Sequence, residues 1–395
     1  MDLQLDDEQR AVVDTVRRYV RDQIVPVEME LDPDESVLPP DDYERLAKMT
    51  QAMGLFNLDL PEEHGGPGIS TVLRCLIAIE ISQHRAGLYA PAYHTFGYPG
   101  QIPLLAAFAN EGQRERYLMP SIRGEKRACF GLSEPSGGSD PARSVQTRAV
   151  RDGDQWVING RKMWTSDAAD ADFCVLFART GAPDSGRDGI TAFLVDTDTP
   201  GFTVSRVVHT LRAGSPATEI VLEDVRVPDA SVFGGVGSGF KLANTRLARN
   251  RIPYSAACLG VAVKAQQLAV EYAKIRVAFG KPLIEHQGVN WMLVDNEHDL
   301  RAATMMVMIA ADRADRGLPF RTEAASAKIM ATEAASRVVD RSIQIHGGMG
   351  VSKEMPLERW YRELRIRRIG EGATEVQRMI IGRDLAHQPY KFFLD

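Results

Sequence analysis

The sequence predicts an α+β multi-domain architecture: an N-terminal α-helical domain, a middle antiparallel β-barrel or sandwich, and a C-terminal four-helix bundle. Three observations predict it. Apolar residues recur at helical spacing up to about residue 120. From near residue 128 to Val232 that period gives way to alternation punctuated by hairpin turn signals. Long Ala- and Met-rich helical patterns then run from Gly237 onward. The domain bounds read as 1–126, 127–236 and 237–395.

Residues 6–31 open with acids that suit a helix dipole and continue with Val12, Val13, Val16 and Val20 at helical spacing. Pro33, Pro39 and Pro40 punctuate, and Tyr43 to Met53 reads as a second amphipathic helix stopped at Gly54. Pro61 to Gly68 is a loop by composition, and helical patterns follow around 70–87 and 99–118. In the middle block Thr147 to Arg151, Gln155 to Ile158 and Arg161 to Trp164 read as strands, with Asp152-Gly153 and Asn159-Gly160 as hairpin turns between them. Phe173 to Ala178, Ile190 to Val195, Thr203 to Val207 and Glu219 to Leu222 continue the β pattern. No helices intervene, so an antiparallel arrangement is expected rather than a parallel sheet. The last domain carries patterns over about 238–275, 286–316 and 322–345. Such lengths exceed the usual helix and predict a bundle, possible to share with other subunits. Met305, Met306 and Met308 read as packing there.

Apolar residues at 44% and charged residues at 25% are ordinary soluble globular usage. The net charge of −6 disfavours nucleic acid or an anionic membrane as the main partner. No apolar run is long enough to span a bilayer, and the acidic start lacks the order of a signal peptide. Cys75, Cys129, Cys174 and Cys258 lie far apart without a CxxC pair. They point to neither a zinc site nor a disulfide framework, and no metal is expected; a reduced, cytoplasmic setting fits.

Four stretches carry candidate chemistry. Glu371 sits between Gly370 and Gly372, just before a helix-start signature in which Thr374 and Gln377 form a capping box and Val376, Met379 and Ile380 give an apolar face. Glycines on both sides let a ligand approach the carboxylate closely, as a general base requires. For so short a motif a glycine-rich turn with a solvated Glu is the commoner reading. The loop Phe130 to Asp140 is rich in N–H and hydroxyl donors that can wrap a cofactor edge or a phosphate, or it is a plain domain connection. Trp164, Thr165 and Ser166 end a strand, where an indole can stack on a flat ring and the hydroxyls meet its heteroatoms; a core Trp at a strand end is the alternative. The segments Arg276 to Lys281, Glu285 to Gln287 and Gln344 to Gly350 can hold a pyrophosphate on Gly-rich backbone with Arg276 neutralising it, or else are a glycine C-cap and a surface Arg. His286 and His346 have no second ligand at metal spacing. The basic run Arg359, Arg362, Arg365, Arg367 and Arg368 could meet nucleic acid, but in a chain of net negative charge it reads rather as salt bridges, subunit contacts or a phosphate site.

In their order and spacing these pieces resemble the acyl-CoA dehydrogenase family over nearly the whole chain. The motifs are Pro61 to Gly68, Leu132 to Asp140, Asn159 to Asp167, Gly237 to Phe240, Arg276 to Lys281, Glu285 to Gln287, Gln344 to Gly350, and Glu371-Gly372 with Gln377-Arg378. The resemblance implies the three-domain fold, one FAD per subunit, a homotetramer (or homodimer), and α,β-dehydrogenation of an acyl-CoA thioester with electrons passed to an electron-transferring flavoprotein. It makes Glu371 the catalytic base. It places Phe130, Leu132, Ser133, Gly138 and Ser139 along the flavin, with Ser139 also touching CoA. Trp164 falls against the isoalloxazine, with Thr165 and Ser166 near N5. Arg276, Phe279, His286, Gln287, Gln344, Gly347 and Gly348 fall on the pyrophosphate and adenosine, Ala373 and Glu375 on further FAD contacts, and Arg249, Asn250, Arg251 and Gly372 on the substrate. Tyr89, His94, Phe96 and Tyr98 fall near the acyl pocket without assigned roles.

There are departures from the family pattern. Ala278 and Ala373 replace common hydroxyl residues, Glu375 a common Gln, and Gly370 the aromatic residue before the base in several straight-chain members. The last change implies room beside the thioester for a bulky, branched, cyclic or long acyl group. Asn250 stands where another branch carries its base, so Glu371 has no competitor. An acyl-CoA oxidase or an enoyl-CoA reductase of the same fold is the nearest alternative; a non-catalytic CoA- or DNA-binding flavoprotein is a remoter one.

Overall fold

The computed structural model describes residues 5–89, 91–97, 100–182, 185–214 and 216–390, without the side chains of Tyr89 and Pro91. Tyr98 and the Tyr89 side chain thus lie outside the described residues.

The N-terminal domain is helical. Asp6 caps the helix Asp7–Tyr19 by accepting from Gln9 N–H at 2.7 Å. Its apolar spacing continues through a π-helical turn, Val20–Ile24, into Val25–Met29. Pro40–Ala52, Thr71–Ile81 and Ile102–Phe108 follow. The pattern expected over 99–118 breaks at Asn110, which caps the next helix through a reciprocal box with Gln113. Val16, Tyr19, Ile24, Leu46, Ile77 and Ile81 form the core here.

The middle domain holds β1 (Ala128–Gly131), β2 (Arg148–Asp152), β3 (Gln155–Ser166), β4 (Phe173–Arg179), β5 (Ile190–Asp196), β6 (Phe202–Val208), β7 (Ala217–Pro228) and β8 (Val232–Phe233). They form one sheet in the order β6-β7-β3-β2-β4-β5-β8, with β1 on β4. Pairing is antiparallel except where β1 and β2 meet β4. β4 reads as a continuous apolar run because both faces are covered. One face packs under Ile102, Leu105 and Tyr117 of the helical domain, and the other under Trp156, Ile158 and Ile220.

One turn expectation is corrected. Asp152-Gly153 does begin the β2–β3 hairpin, but Asn159-Gly160 lies inside β3, where the register shifts. Gly160 has φ 153, and a Cβ there would meet Thr147 Oγ1 at 2.4 Å. Asn159 bonds Asp224 reciprocally across the bulge, at 3.0 and 2.8 Å. The Asn-Gly pair serves a β-bulge, a conformation with the same residue preference as a hairpin turn.

The C-terminal domain packs the long helices Gly239–Ile275, Gln287–Asp315 and Arg321–His346 with Thr374–His387, and Leu357–Arg367 caps the bundle. Alanines such as Ala262, Ala303, Ala327 and Ala331 fill its centre, which brings the helices close together. Gly260 carries this furthest, since a Cβ there would sit 2.2 Å from the Ile79 carbonyl oxygen. The basic run joins domains. Arg359 donates to the Pro33 and Glu35 carbonyls, Arg362 pairs with Asp34 and Glu358, and Trp360 donates to Arg85 O.

His94 has φ 63 and is largely buried, and burial pushes its imidazole down to about 4. The unfolded chain therefore takes up this proton first as pH falls from about 6.5, so acid favours unfolding between about 6.5 and about 4. Thermal melts across that window are expected to fall less steeply for His94→Gln than for the parent.

Candidate active site

Glu371 is at the meeting point of all three domains. Its φ is 56, the left-handed region that a non-glycine residue occupies only when surrounding contacts hold it. Arg251 Nε donates to its carbonyl at 3.1 Å and Gln377 Nε2 at 3.4 Å. Gly372 follows at φ 94, and a Cβ there would lie 2.3 Å from Gln377 Nε2. With the backbone fixed from behind, the carboxylate projects forward and meets Arg246, whose Nη1 lies 3.1 and 3.3 Å from its two oxygens. Arg246 also donates through Nε to Gln101 Oε1 at 3.0 Å and lies over the Phe130 ring at 4.5 Å. Gln101 belongs to the helical domain, Phe130 to β1 and Arg246 to the first bundle helix.

The helix after this loop does not start as expected. Its N-cap is Ala373, with no side-chain cap. Thr374 Oγ1 bonds Glu333 Oε1 at 3.1 Å instead, and Gln377 turns its amide onto Glu371 and Gly372. The predicted capping box is thus absent because both side chains have tertiary partners. Met379 is exposed, so the buried face is Thr374, Gln377 and Ile380. Ala373 is half-buried and Glu375 exposed on the outer side.

The β-domain brings the second group of candidates together. Ser133 O accepts from Met163 N–H at 2.9 Å, which ties the Leu132–Asp140 loop to β3 next to Trp164. Beneath it buried Glu134 accepts from buried Lys162 Nζ at 2.7 Å and from the Gln146 and Thr147 N–H groups at 2.7 and 3.0 Å. Gly138 packs on Ser133, where a Cβ would meet Oγ at 2.8 Å, and Ser139 is exposed on the rim. A register shift between Met163 and Thr165 puts Trp164 at φ 62, and the residue is 56% exposed, so it is not a core Trp. Thr165 is buried, yet its hydroxyl finds no hydrogen-bond partner among the described residues. Ser166 Oγ accepts from Arg212 at 3.2 Å. An orphaned hydroxyl beside an exposed indole fits a flat ring with polar edges.

The third group sits at the far end of the bundle helices. Val277–Ala278 and Lys281–Pro282 form a hairpin whose turn, Phe279-Gly280, has positive φ at both residues. His286 Nε2 lies 2.9 Å from Ala278 O. Arg276 lines a cleft with Tyr272, Leu283, His346, Gly347 and Gly348. A Cβ at either glycine would meet nothing within 4 Å, so the backbone there is open to a ligand. His346 itself is buried, bonded to Ser342 O at 2.7 Å and stacked on Tyr272. Gln287 and Gln344 are exposed nearby, and Phe279 is 98% exposed.

Of the three helix residues proposed for the substrate, Arg249 is exposed, Asn250 is half-buried and Arg251 stands behind Glu371. Sequence reasoning missed Arg246, five residues before Arg251, and Gln101. Their signal was an arginine on the same helix and a Gln at the start of Ile102–Phe108, neither tied to a motif. It also missed Tyr254. A Cβ on Gly370 would lie 2.9 Å from the Tyr254 phenol oxygen, so Tyr254 takes up room that Gly370 leaves.

Models of the N-terminal, middle and C-terminal domains of acyl-CoA dehydrogenase match residues 6–125, 129–225 and 237–386. The chain is 36% identical over 386 residues to the probable acyl-CoA dehydrogenase YngJ of Bacillus subtilis, spanning 98% of this chain and 100% of that protein. It is 34% identical over 398 residues to (R)-benzylsuccinyl-CoA dehydrogenase of Thauera aromatica, spanning 98% and 97%. Among solved structures, butyryl-CoA dehydrogenase from Megasphaera elsdenii superimposes with a TM-score of 0.86 at 32% identity, covering 98% of this chain and all of that one.

Proposed function

The chain belongs to the acyl-CoA dehydrogenase family of FAD-dependent oxidoreductases, and on that premise we propose that it converts an acyl-CoA to the trans-2-enoyl-CoA with Glu371 as the base. The observation that carries this reading is the mounting of Glu371. Its main chain is held in a rare conformation by Arg251 and Gln377, while its carboxylate faces the junction of the three domains. Glu371 removes the α-proton. Its N–H offers a donor to the thioester oxygen, where charge develops as that proton leaves; such donors contribute roughly 3–4 kcal/mol in measured enzymes. Bound FAD supplies the acceptor for the β-hydride.

The same reading extends to the cofactor and substrate contacts. Phe130, Leu132, Ser133, Gly138 and Ser139 flank the flavin, with Ser139 on the rim that CoA crosses. Trp164 stacks on the ring, and the Thr165 and Ser166 hydroxyls face its polar edge. Arg276, Gly347 and Gly348 receive the pyrophosphate, with His286, Gln287 and Gln344 around the adenosine. Phe279 reaches a second copy of the chain, as a homotetramer or homodimer provides. Arg249, Asn250 and Gly372 border the CoA path, and Ala373 and Glu375 border the flavin from the catalytic loop. Electrons leave to an electron-transferring flavoprotein. The four cysteines are free and buried, which suits a reducing cytoplasm. Gly370 supports a bulky, branched, cyclic or long acyl group, but Tyr254 fills much of the space Gly370 leaves and weakens that support.

The test is an anaerobic absorbance titration of the FAD-loaded protein with straight, branched, cyclic, aromatic and carboxylated acyl-CoAs. Bleaching of the flavin band by one class establishes the half-reaction; failure of every class to bleach it, with flavin bound, overturns the reading. Thr165→Val provides a separate check on the cofactor site. An isosteric methyl removes an unsatisfied buried hydroxyl, so the apoprotein is expected to melt no lower than the parent while FAD affinity falls about tenfold, or ~1.4 kcal/mol. Equal FAD affinity in equilibrium dialysis would remove Thr165 from the site.

A further inference from the structure

Arg246 has no place in the reaction as just described, and its surroundings are unusual for a surface cation. Its side chain is only 20% exposed, and Glu371, its partner, 16%. Among the described residues, contacts from three domains hold it: Gln101 on Nε, the Phe130 ring below, and the Glu371 carboxylate on Nη1. A guanidinium keeps its charge at all working pH values. The one carboxylate it meets among the described residues is the base itself. When Glu371 takes up a proton, that pairing is lost, and a partly shielded cation is left without an anion. A neutral acyl group offers no replacement. A carboxylate on the acyl group does, and the guanidinium can donate to its oxygens as it does to those of Glu371.

Resting on the proposed dehydrogenation, we propose that the substrate is the CoA monothioester of a dicarboxylic acid and that Arg246 selects it by pairing with the free carboxylate. Because Arg246 touches the base, and the base serves the α-carbon, that carboxylate stands a few carbons from the thioester. In the reaction the Cα–H bond breaks with its proton going to Glu371, the Cβ–H bond breaks with its hydride going to the flavin, and the Cα=Cβ bond forms. The distal carboxylate is unchanged and stays on Arg246, so the cation has an anionic partner before and after proton transfer. Gln101 and Phe130 are positioning residues that keep the guanidinium at the mouth of the acyl site.

The experiment compares succinyl-, glutaryl- and adipyl-CoA with their ω-carboxamides, isosteric and uncharged, in anaerobic flavin reduction by the FAD-loaded enzyme. The parent is expected to favour at least one carboxylate over its amide by about 100-fold or more in kcat/KM, since truncating one side of a shielded charge pair has effects of that order. Arg246→Gln should bring the ratio close to one, and Arg246→Lys should restore part of it; FAD content and melting temperature report whether each variant is folded. The proposal is overturned if the parent reduces the amides as well as the acids, or if Arg246→Gln slows both alike. If no acyl-CoA of any class bleaches the flavin, the dehydrogenase reading fails, an outcome distinct from a lost preference.

Discussion

Glu371→Gln is expected to retain FAD and bind an acyl-CoA while reducing its flavin about 10³–10⁴-fold more slowly than the parent, the upper part of the range for a positioned general base. The substitution removes the proton acceptor and little else. The loop is held through the Glu371 carbonyl by Arg251 and Gln377, and neither bond involves the side chain that changes. The side chain's own partner, Arg246, can still donate to the amide oxygen. Melting temperature and FAD content should therefore stay near the parent's, and a lost rate then reports chemistry. Single-turnover flavin reduction separates the cases, since the dissociation constant should move far less than the rate. Reduction by the Gln variant at the parental rate would take the base role away from Glu371. Asn250 on the bundle helix carries no carboxylate and is not expected to take the role over.

Much of this architecture could be read before the structure because period is a local property. The change from helical spacing to alternation near residue 128 appears as β1 at Ala128–Gly131, and the return after Val232 appears as the helix Gly239–Ile275. Signals that two conformations share were less decisive. Asn159-Gly160 suits a hairpin turn and a bulge equally, and only the partner strand β7, which continues past it through Asp224, selects the bulge. Thr374 and Gln377 have the spacing of a capping box, but Glu333 on a neighbouring helix and the carbonyls of the Glu371 loop compete for their side chains. The site divides in the same way. Glu371, Trp164 and the glycines lie in compact motifs. Arg246, Gln101 and Tyr254 do not, since each acts through a neighbour more than a hundred residues away in sequence.

The second large effect is expected at Glu134, which no reacting atom touches. Glu134→Ala should lower stability by about 3–5 kcal/mol, the range for leaving one member of a buried ion pair uncompensated. Lys162, fully buried on β3 and already pushed below its ordinary value by burial, would lose the anion that opposes that shift, and among the described residues only the Leu132 carbonyl at 3.5 Å would remain to receive its ammonium. The Gln146 and Thr147 N–H groups would lose their acceptor as well. Burial by itself would raise the Glu134 carboxyl, but the Lys162 ammonium and these donors outweigh it and hold the group below its ordinary range. Its contribution is therefore present at neutral pH and lost as pH falls through the depressed value. The same carboxylate anchors the loop carrying Ser133 and Gly138, so FAD should dissociate more readily, and melting should drop on the order of 10 °C. Glu134→Ala combined with Lys162→Met removes both charges and should recover most of the stability, a non-additivity that a double-mutant cycle reads directly. If that double variant melts like the parent yet still loses FAD, the pair's main role is to shape the loop. If Glu134→Ala alone melts like the parent, the buried pair does not hold the flavin face together.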